Sequence, residues 1–436
     1  MIKKSLLGVL FLLMALQSQD ETTTLVTAAR SFVELLVRKD FTTAVATFDD
    51  TMKTAMPEAK LQETWNTVLA QVGAFKQVTR TRTEKRGAYT IVFVTSDFQN
   101  AALDIKVVFD QSKHIAGLFF APATHAEYAP PAYAKPDSFR EKDVTIGTGD
   151  WALPGTLTIP TSPAGPFPAV VLVHGSGPND RDETLGPNKP FKDLAWGLAS
   201  RGVAVLRYEK RTKQHASKLA SIPALTVKDE VLDDALAAVD LLRKTEGIDP
   251  KRVFVLGHSL GGMLVPRIGR LDPNIAGLIA LAGATRAMED VIPEQLAYIF
   301  SVDGSISPEE QKQLEQAKEQ AAKVKTLKPD DTATIFGAPV SYWLDLRGYN
   351  PPESAKELKQ PLLILQGERD YQVTMEDFKR WNTALATKNN VTFKSYPSLN
   401  HLFVAGIGRS TPAEYDQPGH VDEHVIEDIA AWIRKH

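Results

Sequence analysis

The stretch from Arg252 to Gly262, Arg-Val-Phe-Val-Leu-Gly-His-Ser-Leu-Gly-Gly, constrains the fold more tightly than any other part of the chain. Val253 to Leu256 is an apolar run that reads as a buried strand, and a helical pattern follows the glycines. Between strand and helix stands Gly-x-Ser-x-Gly, with Gly257 and Gly261 flanking Ser259. A serine at the tip of a strand-to-helix turn occupies a strained backbone region, and side chains at the flanking positions would crowd it. Glycine at both positions removes that crowding. The hydroxyl then projects from the turn, and the first turn of the helix brings free N–H groups and a positive dipole end beneath it. This is the form of a nucleophile elbow; the bland alternative is a plain glycine turn.

A chain of 436 residues is too long for one ordinary core, so two domains are expected. Apolar residues at 43% and charged residues at 24% place it among globular proteins of the soluble class. A net charge of −3 makes no case for nucleic acid or an anionic membrane as partner. The absence of cysteine excludes disulfides, thiolate metal sites and a cysteine nucleophile. Residues 1–20 read as a signal peptide: Lys3 and Lys4 supply the charged end, and Leu6 to Leu16 supply the apolar run. That run falls short of the roughly twenty residues a bilayer span needs, so a cleaved signal is expected over a retained anchor. The expected location is the periplasm or the medium, with no membrane association after cleavage.

Residues 21–125 read as a small α+β domain. Leu25, Ala28, Ala29, Phe32, Leu35 and Leu36 recur at helical spacing, and further helices are expected over Phe41 to Phe48 and Glu58 to Val72. The period then changes to two, with Tyr89, Ile91 and Phe93 alternating, then Leu103, Ile105, Val107 and Phe109. Ala74 to Thr83 and Ile115 to Phe120 are the expected neighbouring strands. Helices first and antiparallel strands second make a layered α+β unit. Its order resembles the small cystatin-like domains that precede some secreted hydrolases. No catalytic constellation stands out here, so the expected role is structural: a homodimer contact or one wall of a substrate cleft. Residues 126–137, with Pro130, Pro131 and Pro136, read as a Pro-rich extended linker.

From residue 138 to residue 436 strands alternate with helices. Val144 to Ile146 and Leu157 to Ile159 read as an opening hairpin, and Ala169 to Val173 as a central strand buried on both faces. Val203 to Leu206, Ile275 to Leu281, Leu362 to Leu365 and Val391 to Tyr396 are the other expected strands. Phe191 to Arg201, Thr226 to Thr245 and Glu423 to Lys435 are the expected helices, the second opened by a Thr226–Asp229 capping pair. Such alternation demands a mostly parallel sheet covered on both faces, with any site at the carboxyl ends of its strands. Residues 285–358 are far longer than an ordinary crossover and read as a helical cap insertion. Helices are expected there at Glu294 to Phe300 and Pro308 to Leu327.

Taken together, Gly257 to Gly262, His174 to Asp182, Gln366 to Asp370 and Asn400 to Phe403 give this half of the chain a specific resemblance. It resembles the α/β-hydrolase fold, within the dienelactone-hydrolase-like and acyl-peptidase-like esterases. In that fold the acid follows the serine and the histidine comes last. The resemblance therefore implies a catalytic triad of Ser259, Asp370 and His401, each just past the end of a strand. Glu368 and Asp377 compete with Asp370; His420 and His424 compete with His401. His258 is expected to pack below the nucleophile. The implied oxyanion hole is the N–H of Leu260 with that of Ser176 or Gly177, donors that stabilise the negative carbonyl oxygen of acyl transfer. Asn179, Asp180, Arg181 and Asp182 are expected to form a polar brace, and the basic run Arg207 to Arg211 a solvated loop.

In the cap, Tyr342 and Trp343 are expected either to line an acyl-binding wall or to glue the cap to the core. The expectation for the whole is an exported serine carboxylesterase acting on a small-molecule ester, with no cofactor and no metal. A thioesterase or acyltransferase and a small-peptide hydrolase use the same triad and are the alternatives within the class, since pocket contacts choose the bond. A binding protein that keeps an idle elbow is the alternative from another class.

Overall fold

The computed structural model of the chain describes residues 24–123, 128–162, 164–222 and 224–436. The expected signal segment lies outside the described residues. The chain divides into two compact units, residues 1–125 and 126–436.

In the first unit, helix α1 (residues 24–38) buries Leu25, Ala29, Phe32, Val33 and Leu36. The stripe sits one position round from the expected one, since Ala28 is exposed and Val33 buried. Helices α2 (Phe41–Ala46), α3 (Asp50–Ala55) and α4 (Glu58–Val72) follow. The sequence pattern does not show α3, which buries only Met52 and starts on the Asp49 carboxylate, an acceptor for the Met52 N–H at 2.6 Å. Strands β1 (Phe75–Arg86), β2 (Tyr89–Phe98), β3 (Ala102–Phe109) and β4 (Ile115–Pro122) pair antiparallel in chain order. Val92 and Val94 of β2 and Ile105 and Val107 of β3 turn toward Phe32, Leu36 and Trp65 of the helices, so one face of the sheet makes this unit's core.

The second unit opens with the hairpin β5 (Phe139–Ile146) and β6 (Leu153–Pro160). Then come β7 (Phe167–Val173), α5 (Pro190–Ala199), β8 (Ala204–Tyr208), the short helices α6 (Arg211–Gln214) and α7 (Ala216–Ala220), and a π-helical turn, Lys228–Leu232, that runs into α8 (Asp233–Arg243). Strand β9 (Ile248–His258) leads through Ser259 to α9 (Leu260–Leu271) and β10 (Gly277–Leu281). Among the described residues the sheet has eight strands. Beyond β10 these include β13 (Leu362–Gly367) and β14 (Val391–Tyr396), defined below with the insertion between them and β10, and the order is β14-β13-β10-β9-β7-β8-β6-β5. The six strands from β7 onward run parallel, and the hairpin is the antiparallel edge.

The unbroken apolar runs of the central strands follow from two covered faces. Val171, Val173 and Val255 meet α8 and α9 through Ala235, Val239, Leu264 and Ile268. Val170, Leu172, Phe254 and Leu256 meet α5 and the closing helix through Leu194, Leu198, Ile429 and Ile433. Polar residues would be stranded on either face. The Pro-rich segment, expected as an extended linker, is packed down in part. Tyr133 Oη donates to Val421 O at 2.7 Å and Tyr128 Oη to Asp193 Oδ1 at 2.6 Å, so two half-buried tyrosines fasten it to α5 and the segment before the closing helix.

Between β10 and β13 run α10 (Met288–Phe300), α11 (Pro308–Thr326), the short pair β11 (Thr334–Ile335) and β12 (Ala338–Pro339), α12 (Val340–Leu346) and α13 (Pro351–Lys356). Helix α14 (Met375–Leu385) follows β13, and α15 (Glu423–Lys435) follows β14 and closes the chain. Helix α10 begins before Pro293, not after it. Pro293 therefore lies inside the helix, where it forgoes one backbone hydrogen bond. Helix α11 is highly charged, yet a Ser307–Glu310 capping box starts it, and Leu314, Ala317, Ala321 and Val324 give it one buried stripe.

Where the insertion leaves β10, the fully buried Asp377 of α14 accepts from Thr285 N and Oγ1, both at 2.8 Å, and from Arg286 Nη2 at 2.9 Å. The Arg286 guanidinium and these donors outweigh burial and hold the Asp377 carboxyl below the usual carboxylate range. Replacing Asp377 by Ala takes from the buried Arg286 guanidinium its one fully buried acceptor, leaving it the more exposed Glu294 and Glu376, and takes from the Thr285 N–H its carboxylate. We expect it to cost about 3–5 kcal/mol in chemical denaturation; a loss below about 1 kcal/mol would show that the anchor is dispensable.

Candidate active site

Ser259 stands between β9 and α9 with φ 53° and ψ −113°, a left-handed backbone that a serine rarely adopts. Its neighbours hold it there. Ser259 N donates to Leu281 O on β10 at 2.9 Å, and Ser259 O accepts from Met263 N at 2.9 Å. A Cβ on Gly257 would lie 2.2 Å from the carbonyl of Gly261, and one on Gly261 would lie 2.3 Å from Val173 O. Both glycines are therefore steric necessities: the backbones of elbow and β7 touch. The Ser259 side chain is half-buried.

Two strands along the sheet, His401 and Asp370 meet. Asp370 Oδ2 accepts from His401 Nδ1 at 2.6 Å, and both side chains are buried. Gln372 N at 2.7 Å and Val373 N at 3.0 Å donate to Asp370 Oδ1, and Gln366 Nε2 donates to Oδ2 at 3.2 Å. The carboxylate is thus fixed in orientation by its own loop. On the histidine side, Asn400 Oδ1 accepts from Leu402 N at 3.0 Å and Val404 N at 3.1 Å, which ties the turn into a knot. Gly367 lets the two loops close, since a Cβ there would lie 2.5 Å from Leu399 O. The rivals go elsewhere. Asp377 is engaged with the insertion, and Glu368 accepts from Ser395 Oγ at 2.8 Å. His420 bonds Asp193 at 3.0 Å, and His424 is exposed at the start of α15.

His258 links the serine turn to the histidine turn. Its Nδ1 donates to Glu183 Oε2 at 2.9 Å and its Nε2 to His401 O at 3.0 Å, and its ring centroid lies 4.7 Å from that of His401. Both partners only accept, so the imidazole carries two N–H groups and a positive charge. Burial works against that charge, but the Glu183 carboxylate outweighs it and holds His258 above the ordinary imidazole value. Glu183 is held below the usual carboxylate range in turn, mainly by His258 against burial. Its other oxygen accepts from Gly175 N at 2.6 Å. Sequence reasoning missed Glu183. The signal available was a further acid directly after the Asn179 to Asp182 run.

The loop after β7 lies against the elbow, for a Cβ on Gly175 would sit 3.1 Å from Ser259 Cβ. Its carbonyls are all engaged. Gly175 O accepts from Lys210 Nζ at 2.8 Å and Asn179 Nδ2 at 3.2 Å, Ser176 O from Asn179 Nδ2 at 3.0 Å, and Gly177 O from Thr212 Oγ1 at 3.0 Å. Among the described residues the N–H groups of Ser176, Gly177 and Leu260 have no hydrogen-bond partner. A loop with its carbonyls tied back and its N–H groups unengaged can donate to an anionic oxygen. The Asn179 to Asp182 stretch braces it: Asp182 pairs with Arg207 and Lys189, and Arg181 with Glu209 at 2.8 Å.

Two expectations need correction. Arg207 to Arg211 is not a solvated loop. Arg207 and Lys210 are buried, Lys210 Nζ pairs with Glu230 Oε1 at 2.6 Å, and Arg211 pairs with Asp234. The missed signal is Glu230 and Asp234, two acids four residues apart on an otherwise apolar helix face. Tyr342 and Trp343 are not an open wall either. Both are buried in the core shared with α8 and α9; Trp343 Nε1 donates to Ile335 O at 2.8 Å, and the Tyr342 hydroxyl lies beside the Glu230 carboxylate. They glue the insertion to the sheet layer.

An eight-stranded sheet of this topology, with these groups gathered at the carboxyl ends of its parallel strands, defines an α/β-hydrolase. Residues 166–405 match the family described as serine aminopeptidase, S33, and the chain belongs to it; it is a hydrolase enzyme. Residues 29–118 match a family described as a protein of unknown function, DUF3887. The chain is 42% identical over 405 residues to the esterase EstD of Thermotoga maritima, covering 93% of this chain and 94% of that one. It is 24% identical over 188 residues to a monoacylglycerol lipase of Mycolicibacterium smegmatis, 42% of this chain and 62% of that one. Among solved structures it is similar to Est1E from Butyrivibrio proteoclasticus, at 17% identity and TM-score 0.42 over 67% of this chain and 96% of the other.

His174 begins the loop after β7 and is wholly buried, with Nε2 against Asp180 O at 3.0 Å. Burial lowers it to about 4, against a weaker opposing pull from Glu183. An unfolded chain takes up this proton near the ordinary value of about 6.5, and the folded chain refuses it until about pH 4. The stability that His174 gives is therefore present at pH 7 and is lost as pH falls through that window. Between pH 7 and pH 5, His174→Gln should lose about 2 kcal/mol less unfolding free energy than the parent chain. Identical acid slopes in the two proteins would rule this out.

Proposed function

We propose that this hydrolase is an exported serine carboxylesterase that works through an acyl-enzyme. Ser259 attacks the ester carbonyl while His401 takes its proton, and Asp370 holds the imidazole in the required tautomer and stabilises its charged form. The N–H groups of Leu260 and of Ser176 or Gly177 receive the negative oxygen of the tetrahedral intermediate, each worth roughly 3–4 kcal/mol. His401 then returns its proton to the departing alcohol and activates the water that releases the acid. The observation that carries this reading is the buried Asp370–His401 pair, whose histidine turn is tied through His401 O to His258, the residue next to the elbow serine. The relative in Thermotoga maritima, named an esterase, supports the ester as the scissile bond.

A second reading, hydrolysis of small peptides, is favoured by the description of the matching family as an aminopeptidase. Turnover of nitrophenyl esters set against aminoacyl anilides decides between them: the proposal expects the esters to be cleaved faster by orders of magnitude. Ser259→Ala should lower ester turnover by about 10⁴–10⁶ with the fold intact. A folded variant that keeps near-parental activity would remove Ser259 from the mechanism.

Export is supported by the charged and apolar pattern of Lys3 to Leu16. N-terminal sequencing of the protein from a periplasmic extract or the medium should find a chain that starts near Gln17 to Asp20. Recovery of full-length chain only from the cytoplasm would overturn it.

A further inference from the structure

Lys210 follows β8 and sits under the loop that carries Ser176 and Gly177. Its side chain is 3% exposed, and that of its partner Glu230 is 8% exposed. A buried ion pair is a weak source of stability, because taking both charges out of water offsets their attraction. What distinguishes this pair is its third member. Lys210 Nζ also donates to Gly175 O at 2.8 Å. In the trans Gly175–Ser176 peptide, the Ser176 N–H lies on the opposite side from that carbonyl. A cation on the carbonyl therefore fixes which way the Ser176 N–H points. It also polarises the peptide and makes that N–H a stronger donor.

A flip of this peptide turns ψ of Gly175 and φ of Ser176 together, and the missing Cβ of Gly175 removes the resistance to the first of these. With the peptide flipped, a carbonyl in place of an N–H would meet the substrate oxygen and repel it. Asn179 Nδ2 also holds Gly175 O, at 3.2 Å, but it is a neutral donor.

Glu230 does not stand on a regular helix. It occupies the middle of the π-helical turn Lys228–Leu232, a geometry that is rare and concentrated at working sites. The same segment receives α12 of the insertion. Ser341 Oγ donates to Leu225 O at 2.7 Å, Asp345 Oδ2 accepts from Val227 N at 3.2 Å, and the Tyr342 hydroxyl lies beside Glu230.

We infer that Lys210 is a positioning residue for the Ser176 N–H, and that Glu230 ties its placement to helix α12 of the cap. The inference rests on the acyl-transfer reading of Ser259. Removing both charges at once, as Lys210→Met with Glu230→Gln, leaves neither buried and orphaned. Circular dichroism and a melting curve establish that the double variant is folded. Its kcat on a nitrophenyl ester should then fall about 10- to 100-fold with KM unchanged within about threefold, an effect below that of deleting a donor outright. Inhibition by a trifluoromethyl ketone, whose adduct on serine carries the oxyanion, should weaken by the same factor. The corresponding alcohol, which forms no adduct, should bind as before.

A folded double variant with parental kcat and parental ketone affinity would overturn the assignment. So would a fall in alcohol affinity equal to that in ketone affinity, which marks general loosening of the site. Should the double variant not fold, Tyr342→Phe takes its place. It should lower kcat about two- to fivefold at constant KM, and an unchanged kcat overturns the link to the cap. Ser259→Ala assayed alongside separates the two levels. Retained turnover there overturns the hydrolytic reading, whereas its loss beside an unaffected Lys210 variant overturns only the positioning role.

Discussion

The left-handed backbone of Ser259 is the constraint on which the rest of this unit depends. A residue with a Cβ pays of order 1–3 kcal/mol for such a conformation, and the strain persists only if the surroundings over-determine it. Here they do so by contact. The Gly257 and Gly261 backbones touch, Gly261 lies against the carbonyl of Val173, and Gly262 against Gly283, so β9, β7 and β10 converge on the turn with no side chain between them. That convergence explains why the parallel order of the central strands matters. Only strands whose carboxyl ends share one edge can bring the Gly175 loop, the elbow and the loops of Asp370 and His401 into one place.

Backbone contact fixes the serine; buried charge fixes what surrounds it. Glu183 holds Gly175 N with one oxygen and His258 with the other, and His258 holds His401 O. A single carboxylate thus links the Gly175 loop to the His401 turn by way of His258. Beneath it the sheet edge carries further buried pairs, Arg207 with Asp182 and Glu141, Lys210 with Glu230, and Arg211 with Asp234. Apolar residues of equal volume would match these pairs in stability. One of the pairs reaches the Gly175 to Gly177 loop directly: Lys210 holds Gly175 O, while Asn179 and Thr212 hold the carbonyls of Ser176 and Gly177.

The parts of the fold that read clearly in the sequence are those governed by period and by glycine. The two-sided burial of β7 and β9 shows as unbroken apolar runs, and the helices and strands of the first unit show as a switch from period 3.6 to period two. The elbow shows because steric need leaves glycine no substitute. The basic run Arg207 to Arg211 was misread because charge usually signals solvent, and its partners Glu230 and Asp234 lie on a different element, out of reach of any local pattern. Glu183 shows in the sequence only as one more acid after the Asn179 to Asp182 run, and its pairing with His258 arises only when β7 and β9 are laid side by side. For Tyr342 and Trp343 the sequence leaves an acyl-binding wall and a core contact both open, because nothing local says which layer an aromatic faces. Helix α3 escaped because Asp49 starts it and a single residue, Met52, is buried.

The insertion between β10 and β13 is fastened at both ends by charge. At its start Thr285 and Arg286 are clasped by Asp377; near its end Asp345 meets Arg267 at 3.2 Å and caps the approach to the π turn at Val227 N. Between these clasps α10 reaches the histidine side of the sheet edge, where Tyr298 stacks on Tyr371 at 4.8 Å, next in sequence to Asp370. Helix α12 reaches the other side, at Glu230. One insertion therefore contacts both sides of the sheet edge, the Asp370 loop through a tyrosine stack and the Gly175 loop through Glu230 and Lys210. A cap held this way cannot shift as a body without disturbing the geometry beneath it, which makes its placement part of the site and not only a cover over it.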